Sequence, residues 1–258
     1  MGSRAAALAG RTRDVCALCS GRSGRGIGRA AVASGETRQP VDGAVRVRAV
    51  LFDLDGTLVD SAPDIHAGVN AILAEEGVAP LPFATVRGFI GGGVPVLMTR
   101  VIAATGMEPA RHGALCARFV ERYEHDPGGL TRPYEGVEEA LDALADLPLG
   151  LCTNKPEGPT RALLSHLGWQ GRFSVIVGGD TLPVRKPDPA PLHEAMRRIG
   201  GGEVLFVGDS EVDAETARSA GVPLLLFTQG YRSTEVAALP HLAAFDHWSA
   251  LPALVRGR

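Results

Sequence analysis

Four short segments of this 258-residue chain carry side chains that could do chemistry together. They are DLDGTLVDS (53–61), TNK (153–155), RKPDP (185–189) and GDSEVD (208–213). Asp53 and Asp55 flank a single residue, so on an extended chain both side chains point the same way. Gly56 lets the backbone turn away immediately afterwards. One carboxylate of such a pair can be a nucleophile while its neighbour moves a proton. Asp209 would add a third carboxylate, and carboxylates gathered at one point repel unless a cation joins them. An all-oxygen set with few protein ligands suits Mg²⁺, which keeps several waters and shares a phosphate oxygen. Thr153 offers a hydroxyl and Lys186 a positive charge to phosphoryl oxygens. The combination suits phosphoryl transfer through an aspartyl-phosphate. A calcium loop counted from Asp53 fits poorly, because its glycine position holds Leu58 and its closing position holds Asp64.

For these groups to meet, the chain must bring four segments to one edge. Short apolar runs at 47–52, 149–152, 174–177, 204–207 and 224–227 read as strands buried on both faces. Helical patterns at 138–147, 159–167, 191–199 and 213–220 alternate with them. Strand alternating with helix implies an α/β, doubly wound parallel sheet of the Rossmann-like kind. In such sheets the site lies beyond the carboxyl ends of the strands, which is where the four segments fall. One gap breaks the alternation. Ile65, Val69, Ile72 and Leu73 mark an amphipathic helix that Ser61 can cap, with Pro63 in its first turn. Residues 86–104 and 110–124 also read as helices, broken by Gly91-Gly92-Gly93 and Pro109. The expected organisation is a disordered extension (1–45), a core domain in two parts (46–62 and 132–258) and an inserted small all-helical cap (63–131).

Composition narrows the function. No run approaches the roughly 18–20 apolar residues of a membrane span, so no membrane partner is expected. Four cysteines exclude a disulfide-stapled scaffold. The net charge of −3 gives no support to nucleic-acid binding, although it divides unevenly. Residues 1–46 carry eight Arg against Asp14, Glu36 and Asp42; everything after them is acidic on balance. That Arg-rich segment lacks the apolar stretch of a secretory signal. An upstream mis-start or dispensable tail is the favoured reading, with a cytoplasmic protein. Its GRGIG (24–28) has no preceding strand, and its Cys16/Cys19 pair has no second pair to complete a zinc site. Of 26 basic residues only Lys155 and Lys186 are lysines, and both adjoin candidate site segments. Lys155 reads as a surface residue flanking its motif.

Taken together, DxDGTxxDS, a strand ending in Thr-Asn, a Lys before Pro-Asp-Pro, and GDSxxD resemble the haloacid dehalogenase superfamily. FDLDGTLVDSAPDI (52–65), RGFIGGGV (87–94), TRPYEGV (131–137), LCTNKPE (151–157) and VGDSEVDAETARSAGV (207–222) are similar, within it, to bacterial phosphoglycolate phosphatases. The resemblance implies Asp53 as nucleophile and Asp55 as the group that protonates the leaving oxygen and then activates water. It implies Mg²⁺ held by the Asp53 side chain, the Asp55 carbonyl and Asp209, with Asp213 orienting the metal site or Lys186. Thr153, the Asn154 backbone and Lys186 would bind the phosphoryl group, and Arg87 in the cap could meet a substrate carboxylate. The implied substrate is the small phosphate monoester 2-phosphoglycolate, handled by a monomer or homodimer. Another small phosphoester, pyrophosphate, or a sugar-phosphate mutase reaction are the alternatives, with an inactive RNA-binding module further off. Two departures stand out. The cap turn reads Gly91-Gly92-Gly93 where relatives usually have Gly-Asn-Gly, and the LADLPLG connection is short enough to shift the strand that carries Thr153.

Overall fold

The computed structural model describes residues 47–125 and 129–257. The expected disordered extension at 1–45, with GRGIG and the Cys16/Cys19 pair, lies outside the described residues. Six strands form one parallel sheet: β1 (Ala49–Phe52), β4 (Leu149–Cys152), β5 (Val175–Val177), β6 (Val204–Gly208), β7 (Leu224–Phe227) and β8 (Ala243–Phe245). Their order is β5-β4-β1-β6-β7-β8, so the chain starts mid-sheet, winds one way and then the other. The remaining strands, β2 (Val59–Asp60) and β3 (Arg132–Pro133), form a separate antiparallel pair.

Side-chain alternation along β1 shows why the sheet is buried on both faces. Val50 and Phe52 enter one apolar cluster with Leu151, Leu163, Trp169, Val207 and Trp248. Ala49 and Leu51 enter the opposite one with Cys152, Leu192, Phe206 and Leu226. Helices cover both faces: α5 (Val137–Ala143), α6 (Glu157–His166) and α9 (Leu251–Arg256) contribute to the first cluster. Helices α7 (Ala190–Arg198) and α8 (Glu211–Ala220) contribute to the second. Thr153 is not displaced by the short LADLPLG connection, since β4 pairs in register with β1, Phe52 opposite Leu151.

Between β2 and β3 the chain builds a helical cap with its own core. Helices α1 (Ala62–Glu75), α2 (Phe83–Arg87), α3 (Gly93–Thr105) and α4 (His112–His125) gather Ile65, Val69, Ile72, Leu73, Leu97, Met98, Leu115 and Phe119 into a third cluster. The triple glycine breaks the helical run as expected, with positive φ at Gly91 (113°) and Gly93 (79°). Ser61 differs from expectation. Its side chain makes no cap bond. Instead the backbone N–H groups of Ser61 and Ala62 donate to the Tyr231 hydroxyl, at 2.7 and 2.9 Å. A core phenol therefore does the work of the capping hydroxyl.

The two chain crossings between sheet and cap are bound to each other. The Asp64 carboxylate, in the first turn of α1, accepts from the backbone N–H of Leu130 (3.1 Å) and of Thr131 (2.5 Å), and also from the Thr131 hydroxyl. Thr131 is fully buried. No described helix is long and apolar enough to cross a membrane.

Candidate active site

The nucleophile candidate Asp53 sits just past the end of β1, its N–H donating to the Val207 carbonyl at 2.9 Å. A tight turn follows, in which the N–H groups of Thr57 and Leu58 both return to the Leu54 carbonyl. Gly56 is needed there for two reasons. Its φ is +87°, and a Cβ would stand 2.7 Å from Asp209 Oδ2 and from the Tyr231 ring.

β6 delivers Asp209 to the same edge. Its Oδ1 accepts from the Thr57 hydroxyl at 2.7 Å, and its Oδ2 from the Tyr231 N–H at 2.6 Å. Asp213 lies one turn into α8, where it closes a capping box with Ser210. Its Oδ2 accepts from the Asp209 and Ser210 N–H groups and the Ser210 hydroxyl, at 3.2, 3.1 and 2.7 Å. Its Oδ1 accepts from Lys186 Nζ at 2.7 Å. Asp213 is thus saturated and holds Lys186, whose ammonium also lies 3.0 Å from Asp53 Oδ1. Burial alone would lower the Lys186 pKa, but Asp213 and Asp53 more than offset it and push it up.

Thr153 and Asn154 arrive on β4. The Thr153 hydroxyl accepts from the Lys155 N–H at 3.2 Å, fixing the loop. Asn154 Nδ2 donates to the Lys186 carbonyl (2.9 Å) and to the Gly91 carbonyl of the cap (3.0 Å). Its Oδ1 accepts from the Lys186 N–H at 3.0 Å. Glycines permit this crowding: a Cβ at Gly179 would stand 2.2 Å from the Asn154 carbonyl, and one at Gly93 would stand 2.8 Å from it. Asp180, beyond β5, accepts from the Glu157 N–H at 2.8 Å and so serves the start of α6 rather than the site.

Part of this set, with Asp55 and Lys155, faces a cavity of about 50 Å³. Its floor is Asp53, Asp55, Thr153, Asn154 and Lys155; its roof, from the cap, is Ile65, Ile90, Val94, Leu97 and Phe119 with Gly91 and Gly93. Arg87 does not line it. Its guanidinium donates to the Gly230 carbonyl at 2.7 Å and lies over the Tyr231 ring, 5.3 Å from the centroid. The substrate-contact role expected for it is not what this arrangement provides; Arg87 ties cap to core. Lys155 also differs from expectation. It is buried, not a surface residue, with Nζ 3.2 Å from Asp55 Oδ1 and 3.9 Å from the centre of the Tyr123 ring.

The donor set fits a hard divalent cation. Asp53, Asp209 and Asp213 each place an oxygen within 4.8 Å of the others. Burial lifts the Asp53 carboxyl to about 6 against the pull of Lys186, and burial, then Asp213 and Asp53, raise Asp209 well above the usual range. Asp53 Oδ1 is a buried oxygen with no hydrogen-bond partner, Lys186 being only its counter-charge. Four carboxylates meet two ammonium groups here, an excess of negative charge that a divalent ion would offset. With Asp213 already saturated, Asp53 and Asp209 are the side chains left with capacity for it.

Sequence reasoning missed Thr57, Gly230 and Tyr231. A Cβ at Gly230 would fall 2.2 Å from Asp209 Oδ2, so only glycine lets that loop reach the carboxylate. No spacing rule connects 230–231 to Asp209; only the fold does.

Known proteins share this architecture. The chain matches a family model described as haloacid dehalogenase-like hydrolase over residues 50–227. The phosphoglycolate phosphatase of Cereibacter sphaeroides (strain ATCC 17029 / ATH 2.4.9) is 54% identical over 211 residues, 80% of this chain and 97% of that protein. The phosphoglycolate phosphatase of Rhodobacter capsulatus is 44% identical over 213 residues, 81% of this chain and 97% of that one. The crystal structure of a predicted phosphoglycolate phosphatase from Haemophilus somnus 129PT superposes with a TM-score of 0.76 at 30% identity, covering 82% of this chain and 99% of that one. With the motifs in order along one parallel sheet and a helical cap above them, the chain belongs to the haloacid dehalogenase-like hydrolases.

Proposed function

We propose that the protein is a phosphatase that hydrolyses 2-phosphoglycolate to glycolate and phosphate through an aspartyl-phosphate. The observation that carries this reading is the 54% identity to a protein named phosphoglycolate phosphatase, over 97% of that protein's length. The small cavity supports it by size, and the convergence of Asp53, Asp55, Thr153, Asn154 and Lys186 supports it by chemistry.

Asp53 attacks the phosphorus in line with the ester oxygen. Asp55 gives its proton to that oxygen, which leaves as the hydroxyl of glycolate. Asp55, now ionised, takes a proton from water as that water attacks the phospho-aspartate, and phosphate departs with Asp53 restored. The Thr153 hydroxyl, the Asn154 backbone N–H and the Lys186 ammonium hold the phosphoryl oxygens. Lys186 has this reach because Asp213 fixes it from behind. Mg²⁺ would be held by the Asp53 side chain, the Asp55 carbonyl and Asp209, and when bound it would neutralise phosphoryl charge. Residues 63–131 would act as a cap that closes over the site and excludes water.

The test is a phosphate-release screen of the purified protein over small phosphoesters and pyrophosphate, with and without Mg²⁺. The expected result is a preference for 2-phosphoglycolate, lost on chelation and restored by Mg²⁺. In Asp53→Asn, turnover should fall by more than about 10³-fold with the fold intact. A stronger preference for pyrophosphate or a sugar phosphate would overturn the substrate, and a fully active Asp53→Asn would overturn the nucleophile.

A further inference from the structure

Lys155 is a buried cation at the site to which the phosphoryl chemistry gives no task. Its side chain is 6% exposed, and its Nζ lies 3.2 and 3.4 Å from the two Asp55 oxygens. On its other side it rests on the ring of Tyr123, a residue of cap helix α4. Among the described residues lining the cavity it alone is cationic, and the roof above it is hydrocarbon. Arg87, the basic residue of the cap from which a substrate contact is expected, is engaged by Gly230 and Tyr231.

A buried ammonium needs a counter-charge throughout the reaction cycle. Here Asp55 provides it. Asp55 is also the residue that meets the leaving oxygen in the proposed reaction. In 2-phosphoglycolate the carboxylate is one methylene away from the ester oxygen. A substrate placed with that oxygen at Asp55 therefore sets its carboxylate next to the group that Asp55 touches.

We propose that Lys155 binds the carboxylate of the substrate. The inference rests on the reading of the substrate as 2-phosphoglycolate. It makes Lys155 a specificity-determining residue. A leaving group without a carboxylate would offer Lys155 no anion and lose kcat/KM. Tyr123 of the cap lies against the ammonium and completes its surroundings.

The test compares 2-phosphoglycolate with 2-hydroxyethyl phosphate, which has the same skeleton with an alcohol in place of the carboxylate. In the wild-type protein, kcat/KM should favour the acid by about 100-fold or more. In Lys155→Met, the acid should lose about 100-fold and the alcohol less than about tenfold, so the preference collapses. A wild-type preference near one overturns the proposal without any variant, even if 2-phosphoglycolate is turned over well. Parallel losses for both esters in Lys155→Met, with melting temperature unchanged, overturn it too, because a merely structural role would produce them. If another carboxylated phosphoester is the better substrate, the substrate assignment fails while Lys155 is judged on that ester and its alcohol. A preference that collapses in the variant would then support the carboxylate site.

Discussion

At the scale of single residues, the site is a charge arrangement that does not balance without a cation. Asp53 and Asp209 are held among buried groups that raise both carboxyls. A carboxyl lifted from 3.8 to about 6 in the folded chain takes up protons that the unfolded chain has already lost. Without metal, its contribution to stability is therefore favourable below about pH 4, and it declines as pH rises through the window from about 4 to 6. The cation should reverse this where the carboxylates are ionised. Mg²⁺ is expected to raise the melting temperature by several degrees at pH 7.5 and by much less at pH 5, measured by calorimetry. Equal gains at both values would remove the linkage to these carboxylates. The same scale shows where residue types mislead. Lys155 was visible as one of two lysines in an Arg-rich chain, yet nothing in TNK distinguishes a solvated ammonium from one enclosed by Asp55 and Tyr123.

Among the elements, the central strands were legible because each is a continuous apolar run, several with β-branched residues, flanked by Gly, Pro or Asp. Strand β8 was not, since Ala-Ala-Phe at a half-exposed edge carries little strand propensity. Strands β2 and β3 have two residues each, too short for any period to show. Helix α1 announced itself through Ile65, Val69, Ile72 and Leu73, all buried as the pattern demands. The close approaches between elements were not legible, because a glycine in the sequence does not say what it approaches. Gly179 is the sharpest case. Any Cβ there meets the Asn154 carbonyl, so Gly179→Ala should push the β4 loop out of place. Phosphatase activity should fall by about tenfold or more, and stability by about 1–3 kcal/mol. An alanine variant with full activity and an unchanged denaturation midpoint would show that the loop can yield.

Across the whole molecule, the cap is joined to the sheet by two crossings that one residue fastens together. In the sequence Asp64 reads only as a poor calcium ligand; its partners at 130–131 lie too far along the chain for a motif to reveal. Asp64→Ala would leave the buried Thr131 N–H unpaired and take one partner from its hydroxyl. That costs about 1–3 kcal/mol, a fall in melting temperature of about 3–10 °C. Because the phosphoryl-binding groups lie on the sheet and the apolar roof on the cap, kcat/KM should fall while inorganic phosphate still inhibits. Loss of both would place Asp64 within the site itself.

Both tryptophans of the chain lie on the sheet side of this junction. Trp248 packs on Phe52, Phe227 and Phe245, and Trp169, just past the end of α6, donates to Glu138 of α5. Their emission therefore reports on the sheet and its covering helices, and the cap is spectroscopically dark at those wavelengths. A single tryptophan placed at Phe119, in the roof, gives the cap its own signal. Comparing the two emissions during unfolding tells whether roof and floor melt as one cooperative unit or as two.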